Sequence, residues 1–193
     1  GASAILFALC VLLAGCGGEP ASNIVAGTGH IAGIVEELGA DAGTISTLIP
    51  PAMCPGHYDL KPADVEALSH AGVVLLHAWQ MPMANIQRVL EAAKTPGERV
   101  HVVAVEGNWL VPETQAAAAE AIAQVLRDVD PGGADVYRQQ ADRYKRESLL
   151  HGKALRAEIE AAQLEGLPVL CNDMQAPFAE WVGLEVAATF SGG

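Results

Sequence analysis

The chain has 193 residues, 51% hydrophobic, 18% charged and 5% aromatic, which is too apolar for a disordered protein and lacks the glycine period or heptads of a fibre. Eleven Lys and Arg against 23 Asp and Glu give a formal charge of −12; a surface that acidic repels phosphate backbones and argues against nucleic acid as a partner. The length suits one or two domains.

Residues 1–16 read as a targeting segment. The apolar run Ala2–Ala14 has the length of a signal-peptide core and is short for a membrane span, and no charge precedes Glu19. It ends in Leu13-Ala14-Gly15-Cys16, which resembles the bacterial lipobox, a leucine and two small residues before the cysteine that takes the lipid. A tether over 17–22 opens with Gly17-Gly18, which a buried core helix would not need. A basic leader start and an initiator Met are missing, so the sequence is expected to begin inside its precursor. Lipid on Cys16 would anchor the mature chain outside the cytoplasmic membrane, at ~0.8 kcal/mol per buried methylene. Cys10 then leaves with the leader, and Cys54 and Cys171 remain in an oxidising compartment. A bridge between them, metal ligation and buried thiols all stay open.

Strands and helices then alternate. Asn23–Gly27 is a short β-type run. His30–Leu38 has apolar residues at helical spacing, with Gly39 as its stop. Thr44–Ile49 is β-branched and strand-like; Pro50-Pro51 ends it, and a loop runs to about Lys61. Pro62–Ala71 opens with proline at a helix's first position. Val73–Leu76 is a continuous apolar run, as in a strand buried on both faces. Met83–Lys94 is an amphipathic helix and Arg99–Val105 a fourth strand. This order predicts a parallel sheet covered by helices over residues 23–111.

The pattern changes at Pro112, which opens a helix through Val129. Asp130-Pro131-Gly132-Gly133 breaks it, and 134–163 reads as one long helix, so 112–165 is a helical, linking segment. Val169–Cys171 and Glu185–Phe190 read as strands around a short helix at 174–182. The expected fold is therefore an α/β lobe joined by a long linking helix to a partial second α/β lobe at 166–193. Those last residues are too few for a lobe like the first, so the chain is expected to be a piece of a two-lobed protein.

One loop and several shorter matches carry a family resemblance. The segment Pro50-Pro51-Ala52-Met53-Cys54-Pro55-Gly56-His57-Tyr58-Asp59-Leu60-Lys61-Pro62-Ala63-Asp64 is joined in order by Trp109-Leu110-Val111-Pro112, by Asp130-Pro131 with Tyr137, by Val169-Leu170-Cys171-Asn172-Asp173, and by Gly183-Leu184. The chain thus resembles the solute-binding lipoproteins of zinc and manganese ABC importers (cluster A-I). The resemblance implies two α/β lobes joined by one rigid helix, a divalent metal held between them, and delivery to the membrane permease of an ABC transporter. The family's first histidine falls on Gly56, with His57 one place later; its second falls on Gly107 and its third on Asn172. No usual histidine ligand carries over residue by residue.

Any metal site must then be built from other donors. Zinc takes histidine nitrogen, cysteine sulfur and carboxylate oxygen, usually four in a tetrahedron. In parallel α/β sheets, ligands gather beyond the carboxyl ends of the strands. His30 follows the first predicted strand, Cys54 and His57 the second, His77 the third, Glu106 the fourth and Cys171 the strand after residue 167. Cys54, His57 and His77 form a substitute cluster, with Asp59 able to orient a histidine from behind. Soft thiolate with imidazole favours zinc over manganese or another divalent ion. His30 is a fourth candidate, although it opens a helix, whose dipole disfavours a cation. Each also has a plainer reading, as loop, capping or buried side chain. His70, His101 and His151 read as helix-surface or strand residues, and Trp79 and Trp109 as packing residues.

The leading expectation is therefore a metal-binding lipoprotein outside the cytoplasmic membrane. The alternative is a binding protein of the same fold that has lost its metal and holds another small solute or serves adhesion. An enzyme ranks below both: there is no nucleophile elbow, phosphate loop or zincin histidine pair, and Glu106 is the sole general-base candidate.

Overall fold

A computed structural model of the chain describes residues 23–41, 44–51, 53, 55–59 and 61–191, with the side chain of His57 outside that description. The leader, the tether, Cys16 and Cys54 also lie outside the described residues.

Four parallel strands form the main sheet: β1 (Ile24–Thr28), β2 (Ile45–Ile49), β3 (Val73–His77) and β4 (Val100–Val103), in the order β2-β1-β3-β4. Every residue of β1 and β3 is buried, because both are central strands covered on both faces. Side chains alternate between two cores, as the pleat requires. Ile24, Ala26, Leu75 and Val103 pack against α1 (Gly29–Glu37) and α4 (Pro112–Val129). Val25, Val74 and Leu76 face the other way, onto α2 (Pro62–His70) and α3 (Ala84–Ala92) through Leu68, Ile86 and Val89. Thr28 caps α1 by accepting the Ile31 amide proton. Pro62 opens α2, where Asp64 accepts the Lys61 N–H at 2.6 Å.

The helix α5 (Ala134–Ala161) runs back along α4. Asp130 makes the turn between them, accepting from the Gly133 N–H at 3.3 Å and the Tyr137 hydroxyl at 2.7 Å. Beyond α5, β5 (Pro168–Asn172) and β6 (Glu185–Phe190) form a second, two-stranded parallel sheet joined by α6 (Ala176–Trp181). The helix-covered parallel α/β sheet, the long helix and the smaller sheet match the expected fold. No helix among the described residues is long and apolar enough to cross a membrane.

Most element ends shift by a residue or two from expectation, and two of the shifts have a clear cause. The fourth strand stops at Val103, not Val105, because its partner β3 ends at His77, opposite Val103, and leaves Ala104 and Val105 nothing to pair with. The long helix stops at Ala161: Gln163 turns left-handed at φ 56, and the Leu164 N–H reaches back to the Ile159 carbonyl at 3.0 Å, closing the last turn.

Candidate functional site

The chain leaves β1 towards β2 on one side and returns to β3 on the other, so the connections diverge between β1 and β3. In doubly wound sheets the ligand crevice opens at such a point, outside the carboxyl ends of the strands. Thr28 ends β1 here and His77 ends β3.

The base of this crevice is stitched together by buried side chains. Thr28 Oγ1 and His77 Nε2 are 2.8 Å apart. Gln80, fully buried, donates from Nε2 to the Gly27 carbonyl at 3.1 Å and accepts the His77 N–H at Oε1, 3.0 Å. The Gln80 amide N–H faces the His77 side chain in return, a capping-box arrangement. Gly27 is required by this closeness: a Cβ on it would lie 2.2 Å from Gln80 Oε1. The His77 ring is stacked with Trp79 at 5.2 Å between centroids and meets Trp109 edge-on at 4.1 Å. His77 is only 4% exposed, whereas Trp79 is 47% exposed. Burial, assisted by the nearby His30, pushes the His77 pKa down to about 4, so its imidazole is neutral at neutral pH.

His30 occupies the first turn of α1 and is exposed. It shares with Trp109 and Tyr144 the wall of a cleft of about 390 Å³ running between α1, α4 and α5. The structure thus brings His30 and His77 to one sheet edge, the first open and the second enclosed. The backbone of His57 belongs to a short 3-10 turn, Pro55–His57, in the loop after β2. Asn85 on α3 holds that loop, donating from Nδ2 to the carbonyls of Pro55 (3.0 Å) and Tyr58 (3.3 Å), while the Tyr58 ring is buried in the α2–α3 core. Asp59 and Glu106 are exposed. Cys171, half-buried on β5, is a free thiol.

At the end of β5, the Asn172 amide oxygen and an Asp173 carboxylate oxygen both accept the Met174 N–H, at 2.9 and 2.8 Å, and Asp173 also accepts from the Ser191 hydroxyl at 3.0 Å. Asn108 Nδ2 reaches the Met174 carbonyl at 2.6 Å and so bridges the two sheets' loops. Gly107, where the family pattern has a histidine, has φ +106, and a Cβ there would lie 2.9 Å from Thr114 Oγ1. A histidine would be strained at that position. Among the described residues no three His, Cys, Asp or Glu gather in a group able to hold a metal ion.

Residue-by-residue reading missed Thr28, Gln80, Asn85 and Asn108. Thr28 carried a usable signal, since a threonine directly before a helix is an N-cap candidate. The other three act on backbone groups far along the chain, which spacing does not reveal.

The layout is thus a helix-covered parallel sheet, a long helix and a second, smaller sheet whose loop meets that of the first through Asn108. Residues 24–192 match the family described as zinc-uptake complex component A, periplasmic (ZnuA), and the chain belongs to that family. It superposes on the crystal structure of ZnuA with a TM-score of 0.71 at 22% identity, covering 88% of this chain and 70% of that one. It is also similar to the manganese-bound and cadmium-bound periplasmic metal binding protein from Candidatus Liberibacter asiaticus, each with a TM-score of 0.68 at 16% identity, covering 86% of this chain and 67% of that one. At these identities the likeness is one of fold.

Proposed function

We propose that the protein captures a divalent transition metal, zinc foremost, outside the cytoplasmic membrane and hands it to the permease of an ABC importer. Membership of a zinc-uptake family over residues 24–192 carries this reading. The candidate donors are Cys54 and His57 in the loop after β2, with His30 and His77 at the adjoining strand ends. Solved structures of the same fold hold manganese and cadmium, so the scaffold suits more than one ion. Thiolate beside imidazole selects zinc over manganese. The reading includes a lipid anchor on Cys16, places residues 23–111 and 166–193 in separate lobes joined by 112–165, and assigns no reaction to the chain.

Metal analysis of the purified full-length protein tests it, followed by zinc titration of variants. His57→Ala should weaken binding at least about tenfold while His151→Ala, exposed on α5, leaves it unchanged, and affinity should fall as pH drops through the histidine range because protonated imidazole cannot ligate. Equal affinities would reject the assignment.

A second reading, a metal-free binding protein of the same fold, draws on one observation: Gly56, Gly107 and Asn172 stand where the family pattern has histidines, and a histidine at Gly107 would be strained. Absence of stoichiometric metal would favour it.

A further inference from the structure

We infer that the outward side of α5 is a docking surface for anionic phospholipid headgroups, which lays the long helix against the membrane. The inference rests on the reading of a chain anchored outside the cytoplasmic membrane through Cys16, and adds a second, reversible contact to that anchor.

Charge is spread unevenly over this acidic chain. The stretch from Arg138 to Arg156 holds six of its 11 Lys and Arg but two of its 23 Asp and Glu. The helix buries Ala141, Ser148 and Gly152 against the rest of the molecule, which leaves its opposite side to solvent. Arg146, Leu150 and Lys153, spaced by four and then three residues, form a stripe on that side, and all three are exposed, Leu150 by 62%. Part of the basic charge is matched within the protein: Arg138 pairs with Asp135 at 2.6 Å, and Arg143 with Glu37 at 3.2 Å and Glu147 at 3.8 Å. Among the described residues no carboxylate lies within ion-pair distance of Lys145, Arg146 or Lys153. An exposed leucine between unmatched cations suits the bilayer interface, where the aliphatic group enters the headgroup layer and the cations meet phosphates. Residues 17–22, between Cys16 and the described chain, reach at most about 20 Å. Lipid on Cys16 therefore keeps the body beside the bilayer, and a weak contact is enough because the tether supplies the local concentration. At −12 the chain as a whole is repelled by an anionic surface, so attraction confined to one stripe selects the orientation. An acidic protein partner would answer to the same charges, but not to the leucine among them or to the nearby bilayer.

Vesicle sedimentation of the full-length chain carrying Cys16→Ser, so that no acyl chain contributes, is the test. The vesicles are phosphatidylcholine alone, and phosphatidylcholine with an equal part of phosphatidylglycerol as the anionic lipid. Physiological ionic strength is used, where a Debye length of about 8 Å lets the stripe act while the acidic faces behind it are screened. Partition onto the anionic vesicles should exceed that onto the neutral ones at least about tenfold. Arg146→Glu/Lys153→Glu should abolish at least about tenfold of that partition, and the milder Arg146→Gln/Lys153→Gln at least about threefold. Arg88→Glu/Lys94→Glu makes the same change in net charge at exposed positions on and just after α3, across the sheet from α5, and should leave partition within about twofold. Thermal unfolding of each variant checks that the fold is intact; the glutamine pair decides the matter if the glutamate pair unfolds. Equal partition onto both kinds of vesicle would overturn the inference, and the surface would then be left to an acidic protein. So would an α3 variant that loses as much as the α5 variant, since net charge and not the stripe would then be at work. The anchor reading fails separately, by absent lipid labelling of the unaltered Cys16, to which sedimentation of the Cys16→Ser chain is blind.

Discussion

Gly27 shows how one residue's identity follows from a partner 53 positions away. It sits in a fully buried strand, where glycine ordinarily weakens a sheet, and is tolerated because the Gln80 amide occupies the space a side chain would need. Gly27→Ala should displace Gln80 and leave buried amide groups unpaired, costing about 2–4 kcal/mol, readable by denaturant unfolding. His77 gives the second prediction at this scale. Its folded pKa of about 4 lies below the ordinary value of 6.5, so between these pH values the unfolded chain takes up a proton that the folded chain refuses. Stability is therefore full above about pH 6.5 and is lost as pH falls towards 4, by an amount on the order of 3 kcal/mol. His77→Gln, measured over the same range, should flatten that part of the profile; an unchanged slope would assign it to other groups. The reading of His77 from sequence reached its place, at the end of a buried strand, and not its partner. Apolar runs report burial, but Thr28 lies 49 residues earlier and its hydroxyl reaches His77 only because β1 and β3 are neighbours.

Among the elements, α5 is held by unusually small means. Only Ala141, Ser148 and Gly152 are buried along its length. Gly152 lets α5 pass between the start of α4 and α6: a Cβ there would lie 2.8 Å from Pro112 Cγ and 3.1 Å from the Trp181 ring. Gly152→Ala sets two effects against each other. Helix propensity favours alanine by about 1 kcal/mol, while overpacking a fixed contact costs about 1–3 kcal/mol. The contact should win, since proline cannot yield and Trp181 is covered by Arg156, whose guanidinium lies 4.4 Å from its ring. A net loss of roughly 1 kcal/mol, with increased hydrogen exchange in α6, is expected; a stabilised variant would mean that α6 moves freely. The elements themselves were legible, because strand-length apolar runs alternate with helical periods and Pro62 and Pro112 mark helix starts. Their exact ends were less so, since β4 stops where β3 stops, a fact of pairing rather than of local sequence.

For the molecule as a whole, the parallel sheet and its cover of helices followed from the βαβ alternation, the strand order β2-β1-β3-β4 did not, and the family followed from one loop and a few spaced motifs. The donor set did not follow, because this chain replaces the residues by which the family is read. Membrane attachment is a prediction at this scale: in the full precursor, Cys16→Ser should abolish lipid labelling and release the protein from membranes, and unchanged labelling would reject the anchor. Net charge bears on the same function. At −12 the surface raises the local concentration of cations, so the association rate of zinc should fall as ionic strength rises, while the dissociation rate, set by the ligands, should change little.

The long helix α5 bears on how the described parts of the molecule can move. Its 28 residues make a rod on the order of 40 Å long with no proline in it, and its one glycine is wedged between Pro112 and Trp181. Such a spar resists the wide hinge opening by which many receptors empty themselves, a motion on the microsecond-to-millisecond scale. Relative motion of the two sheets is then confined to what this rod and the Asn108–Met174 hydrogen bond allow.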